Sequence, residues 1–242
     1  MDINAKLKSK IKSNRKSIFE LDAKIEGNRS KIEEIRSSSE RDNASIARNY
    51  TAAFYGNHHL TNRNTEEIFK NRIAILNNMD VEGEVEVNFR ETMINMANID
   101  YFTHRAEVNQ EIININEQLS EVNSLLIQIN KAIMSRNEKS VRFNRKNIDI
   151  NKRFLNGEFH PSKATTSANN KRSKDNEVQC IKLSKAADSN KIKLDKLKKF
   201  GQQNAANVLR NSIEISKRRN QITENQEEVI ANQKHIASTI FN

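Results

Sequence analysis

Residues 109–151 read NQEIININEQLSEVNSLLIQINKAIMSRNEKSVRFNRKNIDIN, and this stretch decides the fold class. Asn109, Asn116, Asn123, Asn130, Asn137, Asn144 and Asn151 recur every seven residues. Four residues after each stands an aliphatic side chain, Ile113, Ile127, Met134, Val141, Ile148 or Leu155, with Ser120 the exception. Alternating steps of three and four return to one face of an α-helix, so Asn and aliphatic positions share a stripe. A second stripe, Ile112, Ile115, Leu119, Val122, Leu126, Ile129 and Ile133, runs beside the first. Two adjacent stripes make a face wide enough for at least two neighbours.

The same period extends outward in both directions. Residues 1–56 carry Ile11, Asn14, Ile18, Leu21, Ile25, Asn28, Ile32, Ile35, Ser39, Asp42, Ile46 and Asn49. That is a seam of more than five heptads, expected to end near Gly56-Asn57-His58-His59, where turn formers gather. Tyr50, Phe54 and Tyr55 precede this break and read as a cap on the end of a bundle, or as a contact site. Residues 57–89 hold a short helix with a seam at Asn64, Ile68, Asn71, Ile75 and Asn78. Val81, Gly83, Val85, Val87 and Phe89 then alternate with polar residues, which predicts a short strand or extended connector near 81–89. A central helix is expected over 90–155, a polar loop over 156–178, and a C-terminal helix over 179–242. The last carries Cys180, Leu183, Ala187, Asn190, Leu194, Leu197, Gly201, Asn204, Val208, Asn211, Ile215, Arg218, Ile222, Asn225, Val229, Asn232, Ile236 and Thr239 without a break.

Composition agrees with long helices. Of the 242 residues 36% are hydrophobic and 30% charged, with no Trp, one Pro and five Gly, and the mean hydropathy is −0.81. A thick globular core needs more apolar mass, whereas a helical seam needs only a stripe. The expected fold is therefore all-α and elongated, long helices in a coiled-coil or bundle assembly. The segments 90–155 and 178–241 are nearly equal in length. They suit an antiparallel hairpin with residues 3–80 as a third arm, and equally suit parallel pairing with copies of the chain.

An Asn amide in a seam needs a hydrogen-bond partner, and a facing Asn, a water or an anion would serve. Such a polar core selects register at some expense of stability. The pattern resembles the Asn-bearing stalks of trimeric fibrous proteins, such as bacterial adhesin stalks and phage fibres. That resemblance implies a fibre-like, oligomeric protein. The expected self-association seam comprises the seven Asn of the ladder with Ile112, Leu119, Leu126 and Ile133, and Ile215, Ile222, Asn225, Val229, Asn232 and Ile236 in the last helix.

Charge is unevenly distributed. Residues 1–63 balance at +5, 64–130 at −8, 131–200 at +12 and 201–242 at +1, giving +10 overall. The basic block contains Arg142, Arg145, Lys146, Lys171, Arg172, Lys196, Lys198 and Lys199, which suit an anionic partner. Its bland reading, a face matched to the acidic 64–130 block of a neighbour, is preferred over nucleic acid, because aromatic residues for base stacking are nearly absent there.

Catalytic patterns are missing. There is no glycine-rich phosphate loop, no nucleophile elbow and no zinc spacing, and the adjacent His58 and His59 do not chelate alone. No enzyme activity, cofactor, metal or small-molecule substrate is expected. One Cys, Cys180, rules out an internal disulfide and falls on a core stripe. No membrane span or secretory signal is read, so a cytoplasmic or virion setting is expected. The preferred function is structural self-assembly. The alternatives are a nucleic-acid-associated coiled coil using residues 131–200, and an adaptor that docks a partner through the 156–178 loop.

Overall fold

The structure, a computed structural model, describes residues 3–240. Among them every regular element is helical. Helix α1 spans Ile3–Tyr50, a π-helical segment Thr51–His58, α2 His59–Asn77, α3 Glu84–Leu155 and α4 Thr166–Ile240, with a 3₁₀ turn at Pro161–Lys163. None of these helices is long and apolar enough to cross a membrane.

Three expectations are corrected. The helix does not stop at Gly56-Asn57-His58-His59 but passes through it in π form. The heptad row Asn14, Leu21, Asn28, Ile35, Asp42, Asn49 resumes at Asn57, Asn64 and Asn71, so the step from 49 to 57 contains eight residues. A π turn is wider than an α turn and absorbs one added residue without rotating the following face. Hydroxyls support both ends of the segment, Thr51 donating to the Ala47 carbonyl at 3.0 Å and Thr61 to that of Asn57 at 2.8 Å.

The strand expected near 81–89 is absent, because α3 begins at Glu84 and Val85, Val87 and Phe89 lie in its first two turns. Acidic residues favour the positive end of a helix, and here Glu84 and Glu86 occupy the first turn. The Glu86 carboxylate also accepts the Glu82 N–H at 2.8 Å. These end effects outweigh the period-two alternation, which spans too few residues to define a strand.

The loop is shorter than 156–178, occupying only 156–165. At its start Gly157 takes φ +73°. Its N–H bonds the Phe154 carbonyl, and the Glu158 N–H bonds that of Arg153, each at 3.1 Å. This pair of bonds closes a helix C-terminus around a left-handed residue, the conformation glycine supplies cheaply. At the far end the Thr165 hydroxyl accepts the Ala168 N–H at 3.2 Å, an N-cap. The Ser/Thr/Asn cluster at 165–170 is thus a helix start, a role these side chains fill as readily as a turn.

The chain divides into two units. The first joins Met1–Ala44 with Ile133–Asn207. Its buried residues are Asn14 and Leu21 of α1 and Ser173, Cys180, Ala187 and Leu194 of α4. The second joins Ser45–Ala132 with Val208–Asn242 and buries Asn57, Asn64, Leu76, Ala97 and Val229. Within it α3 runs antiparallel to α2, as Arg72 meets Asp100 at 3.4 Å, the Phe69 ring lies 5.1 Å from Tyr101, and Arg105 meets Glu66 at 3.9 Å.

Candidate assembly seam

Asn side chains on one helix bond to main-chain carbonyls on another. In the first unit Nδ2 of Asn14 donates to the Ser173 carbonyl at 2.7 Å and that of Asn28 to Ala187 at 2.8 Å. In the second unit Asn49 donates to Val208 at 2.9 Å, Asn57 to Ile215 at 3.0 Å, Asn64 to Ile222 at 2.8 Å and Asn71 to Val229 at 3.2 Å. Partner numbers rise together, so the helices of each pair run parallel. The separation is 159 for Asn14, Asn28 and Asn49 and 158 for Asn57, Asn64 and Asn71. The one-residue change falls at the π segment, which places the extra residue on the α1 side while α4 keeps strict sevens.

The chemistry differs from the facing-Asn arrangement expected from sequence. A helical carbonyl already accepts one bond from its own helix and keeps a second lone pair, which the Asn amide takes. Each such bond contributes about 1 kcal/mol net. An amide reaches another helix's backbone only where the helices lie close, and in the first unit α4 presents Ser173, Cys180 and Ala187 for this.

Every helical residue has a carbonyl, so these rungs alone discriminate poorly between registers. Ion pairs add discrimination in the first unit. Lys24 meets Asp188 at 2.9 Å, Lys31 meets Asp195, and Lys198 meets Glu34 at 2.6 Å, all at a separation of 164. A slip that moved Lys31 seven residues up α4 would set it against Gln202 and Glu34 against Ala205. Lys31 holds the Asp195 carboxyl below the usual carboxylate range, chiefly through its hydrogen bond. In the second unit Lys70 does the same for Glu67, which also accepts from Gln233 at 2.7 Å.

Half of each expected stripe is engaged. On α1 the Asn14–Asn49 row is buried or half-buried, while Ile11, Ile18, Ile25, Ile32 and Ile46 are 47–50% exposed. On α4 Val229 is buried and Ile215, Ile222 and Ile236 are half-buried, whereas Asn225 and Asn232 are exposed. In the first unit the free rows border an open cleft of about 430 Å³, lined by Ile11 and Ile18, Asn169 and Asn176, and Asn14 and Ser173.

The ladder on α3 behaves differently. Asn109, Asn116, Asn123, Asn130, Asn137, Asn144 and Asn151 are all exposed, as are Leu119, Leu126 and Ile133, with Ile112 half-buried. From 113 to 146 every residue of α3 is exposed. Arg142, Arg145, Lys146, Lys171, Arg172, Lys196, Lys198 and Lys199 are exposed too, Arg142 paired with Glu138 and Lys198 with Glu34.

The aromatic group sits within a continuous helix. Tyr50 stacks on Phe54 at 5.4 Å and Phe54 on His58 at 5.6 Å, and together with His104, Glu107 and Ile112 of α3 they line a cleft in the second unit. Cys180 is buried and free. Sequence reading placed Asn57 in a break and so missed it as a rung. The signal was available, since counting sevens through Asn49, Asn64 and Asn71 leaves one residue over. No family model, curated protein or solved structure matches the chain.

Proposed function

We propose that this chain is a non-enzymatic structural protein that self-assembles through coiled-coil contacts between copies, in the manner of a filament, fibre or virion component. One observation carries the reading: residues 113–146 of α3 are exposed throughout, although they include Ile113, Leu119, Val122, Leu126, Ile127 and Ile133 at helical spacing. An apolar helix face of this length marks an interaction surface. Its Asn ladder is the kind of polar seam that associates with a chosen neighbour without indiscriminate aggregation. The half-exposed Ile row of α1 offers a second face of the same period.

Sedimentation velocity on the wild type and on a Leu119→Lys/Leu126→Lys variant tests the proposal. The wild type is expected to sediment as an oligomer or larger species at tens of micromolar. The variant is expected to sediment as a single chain with unchanged helicity, because two charges then occupy the contact face. A wild type that stays a single chain at ~100 µM overturns the proposal, as does a variant that assembles normally.

A further inference from the structure

We infer that α4 carries a binding stripe for the phosphate backbone of a nucleic-acid duplex, formed by Lys171, Lys174, Lys182, Lys185, Lys193 and Lys196. These lysines occur as three Lys-x-x-Lys pairs separated by 11 residues. Eleven residues make just over three whole turns, so the pairs drift by only about 20° and form a nearly straight stripe. Adjacent pairs stand about 16 Å apart and the stripe is about 37 Å long. All six side chains are exposed, and none makes an ion pair among the described residues.

The helix pairing leaves this face positive. Asp188 and Asp195, the carboxylates between Lys182 and Lys196, are both drawn to α1 by Lys24 and Lys31. Asp175 and Glu177 dilute only the first Lys pair. The lysines lie at heptad positions other than those of Ser173, Cys180, Ala187 and Leu194, the residues buried with α1. The rest of the unit offers no compensation: the first unit holds 29 basic and 15 acidic residues, a balance of +14, while the second holds 12 and 16, or −4.

Self-assembly leaves a net positive charge even where the acidic 64–130 block of a neighbour covers part of the basic block, because each added copy brings another +10. A polyanion from outside discharges it and gains the entropy of released counterions. A straight row of ammonium groups matches a stiff, evenly charged duplex. No aromatic residue stands within the stripe for stacking the bases of a single strand. Recognition is of phosphate and therefore independent of base sequence.

The test is fluorescence anisotropy of a labelled 40-base-pair duplex with the full chain, titrated across salt. The comparison is a variant with all six stripe lysines changed to Gln. A control changes Lys6, Lys8, Lys12, Arg210, Lys217 and Lys234 to Gln, the same change in net charge. The wild type should bind with affinity falling steeply as salt rises, with a log–log slope of about −5 for six phosphate contacts. The stripe variant should lose ~100-fold or more and most of the slope, and the control less than ~10-fold. Three results overturn the inference. They are no salt-sensitive duplex binding by the wild type, equal losses in the two variants, and tighter binding to single strands or to phosphatidylserine vesicles than to the duplex. Sedimentation of the stripe variant separates this from the assembly proposal, since its apolar α3 face is intact.

Discussion

Asn28 on α1 and Asn123 on α3 occupy the same place in the same seven-residue repeat, yet one is a structural rung and the other faces solvent. Asn28 lies against Ala187 of α4, close enough for its amide to bond the carbonyl at 2.8 Å. Asn123 sits in a stretch where every residue is exposed. The difference lies in the partner. A polar residue at a core position stabilises only when a neighbouring backbone comes within reach, which small residues at the contact permit. Otherwise it keeps its bonds to water and contributes little.

Four measurements would break or sharpen that contrast, taken from the largest expected effect to the smallest. Ala187→Phe should push α4 from α1 and cost about 3 kcal/mol, since overpacking a tight contact also removes the Asn28 rung. Ile127→Phe on α3 should change stability by less than about 0.5 kcal/mol, as exposed substitutions do. Urea denaturation compares the two at a protein concentration low enough to keep the chain unassembled, and similar losses would mean that α3 is also covered.

Asn64→Ala should cost about 1 kcal/mol. The Ile222 carbonyl keeps its in-helix bond, so nothing is orphaned. Asn123→Ala should be silent in the same assay. If the two match, the rungs carry no net energy and the contrast is one of geometry only.

Removing Ala52 from the π segment should leave Asn49 and the next rung seven residues apart. The segment should then close into an α-helix, with stability retained or raised by up to about 1 kcal/mol and slower amide exchange across it. A loss above about 2 kcal/mol would show that the wide turn is itself required. Its Asn57 holds a buried Oδ1 with no hydrogen-bond partner among the described residues, one reason to expect a gain when the turn is regularised.

The smallest effect is on pH. Asp195 and Glu67 titrate below their ordinary values because Lys31 and Lys70 favour the charged form. A depressed carboxylate stabilises the fold above its unfolded value and loses that contribution as pH falls through its folded value. Melting temperature should therefore be flat from pH 7 to about 5 and decline by a few degrees below about pH 4, the ordinary carboxylate range. The decline should be small because one partner of each pair, Asp195 and Lys70, is exposed and the other, Lys31 and Glu67, only half-buried. Asp195→Asn should reduce it further, and an unchanged profile would remove the ion pairs from the account of register.

Much of the architecture was legible. The row from Asn14 to Asn49, the row from Cys180 to Ile236 and the central apolar stripe all fell on helices, because helical period is a local property of spacing. Two kinds of feature were misread for stated physical reasons. The cluster at Gly56–His59 and the Ser/Thr/Asn run at 165–170 use residues that serve turns, caps and wide helical turns alike, and composition does not choose among these. Alternation over residues 81–89 was too short to tell a strand from the acidic first turns of a helix.

The sequence by itself determined that the chain is helical, where most of the stripes run and how charge is divided along it. Those follow from residue spacing and side-chain chemistry, which no partner alters. Only the tertiary structure decided which rows are used. It paired the α1 and α2 rungs with α4 in parallel and gave them backbone carbonyls instead of one another. It also turned the acidic side chains at 188 and 195 toward α1, away from the lysines between 182 and 196. Any helix of the right period offers a face and a column of carbonyls, so periodicity permits many pairings. The close contact at small residues and the alignment of ion pairs, properties of two segments together, select among them.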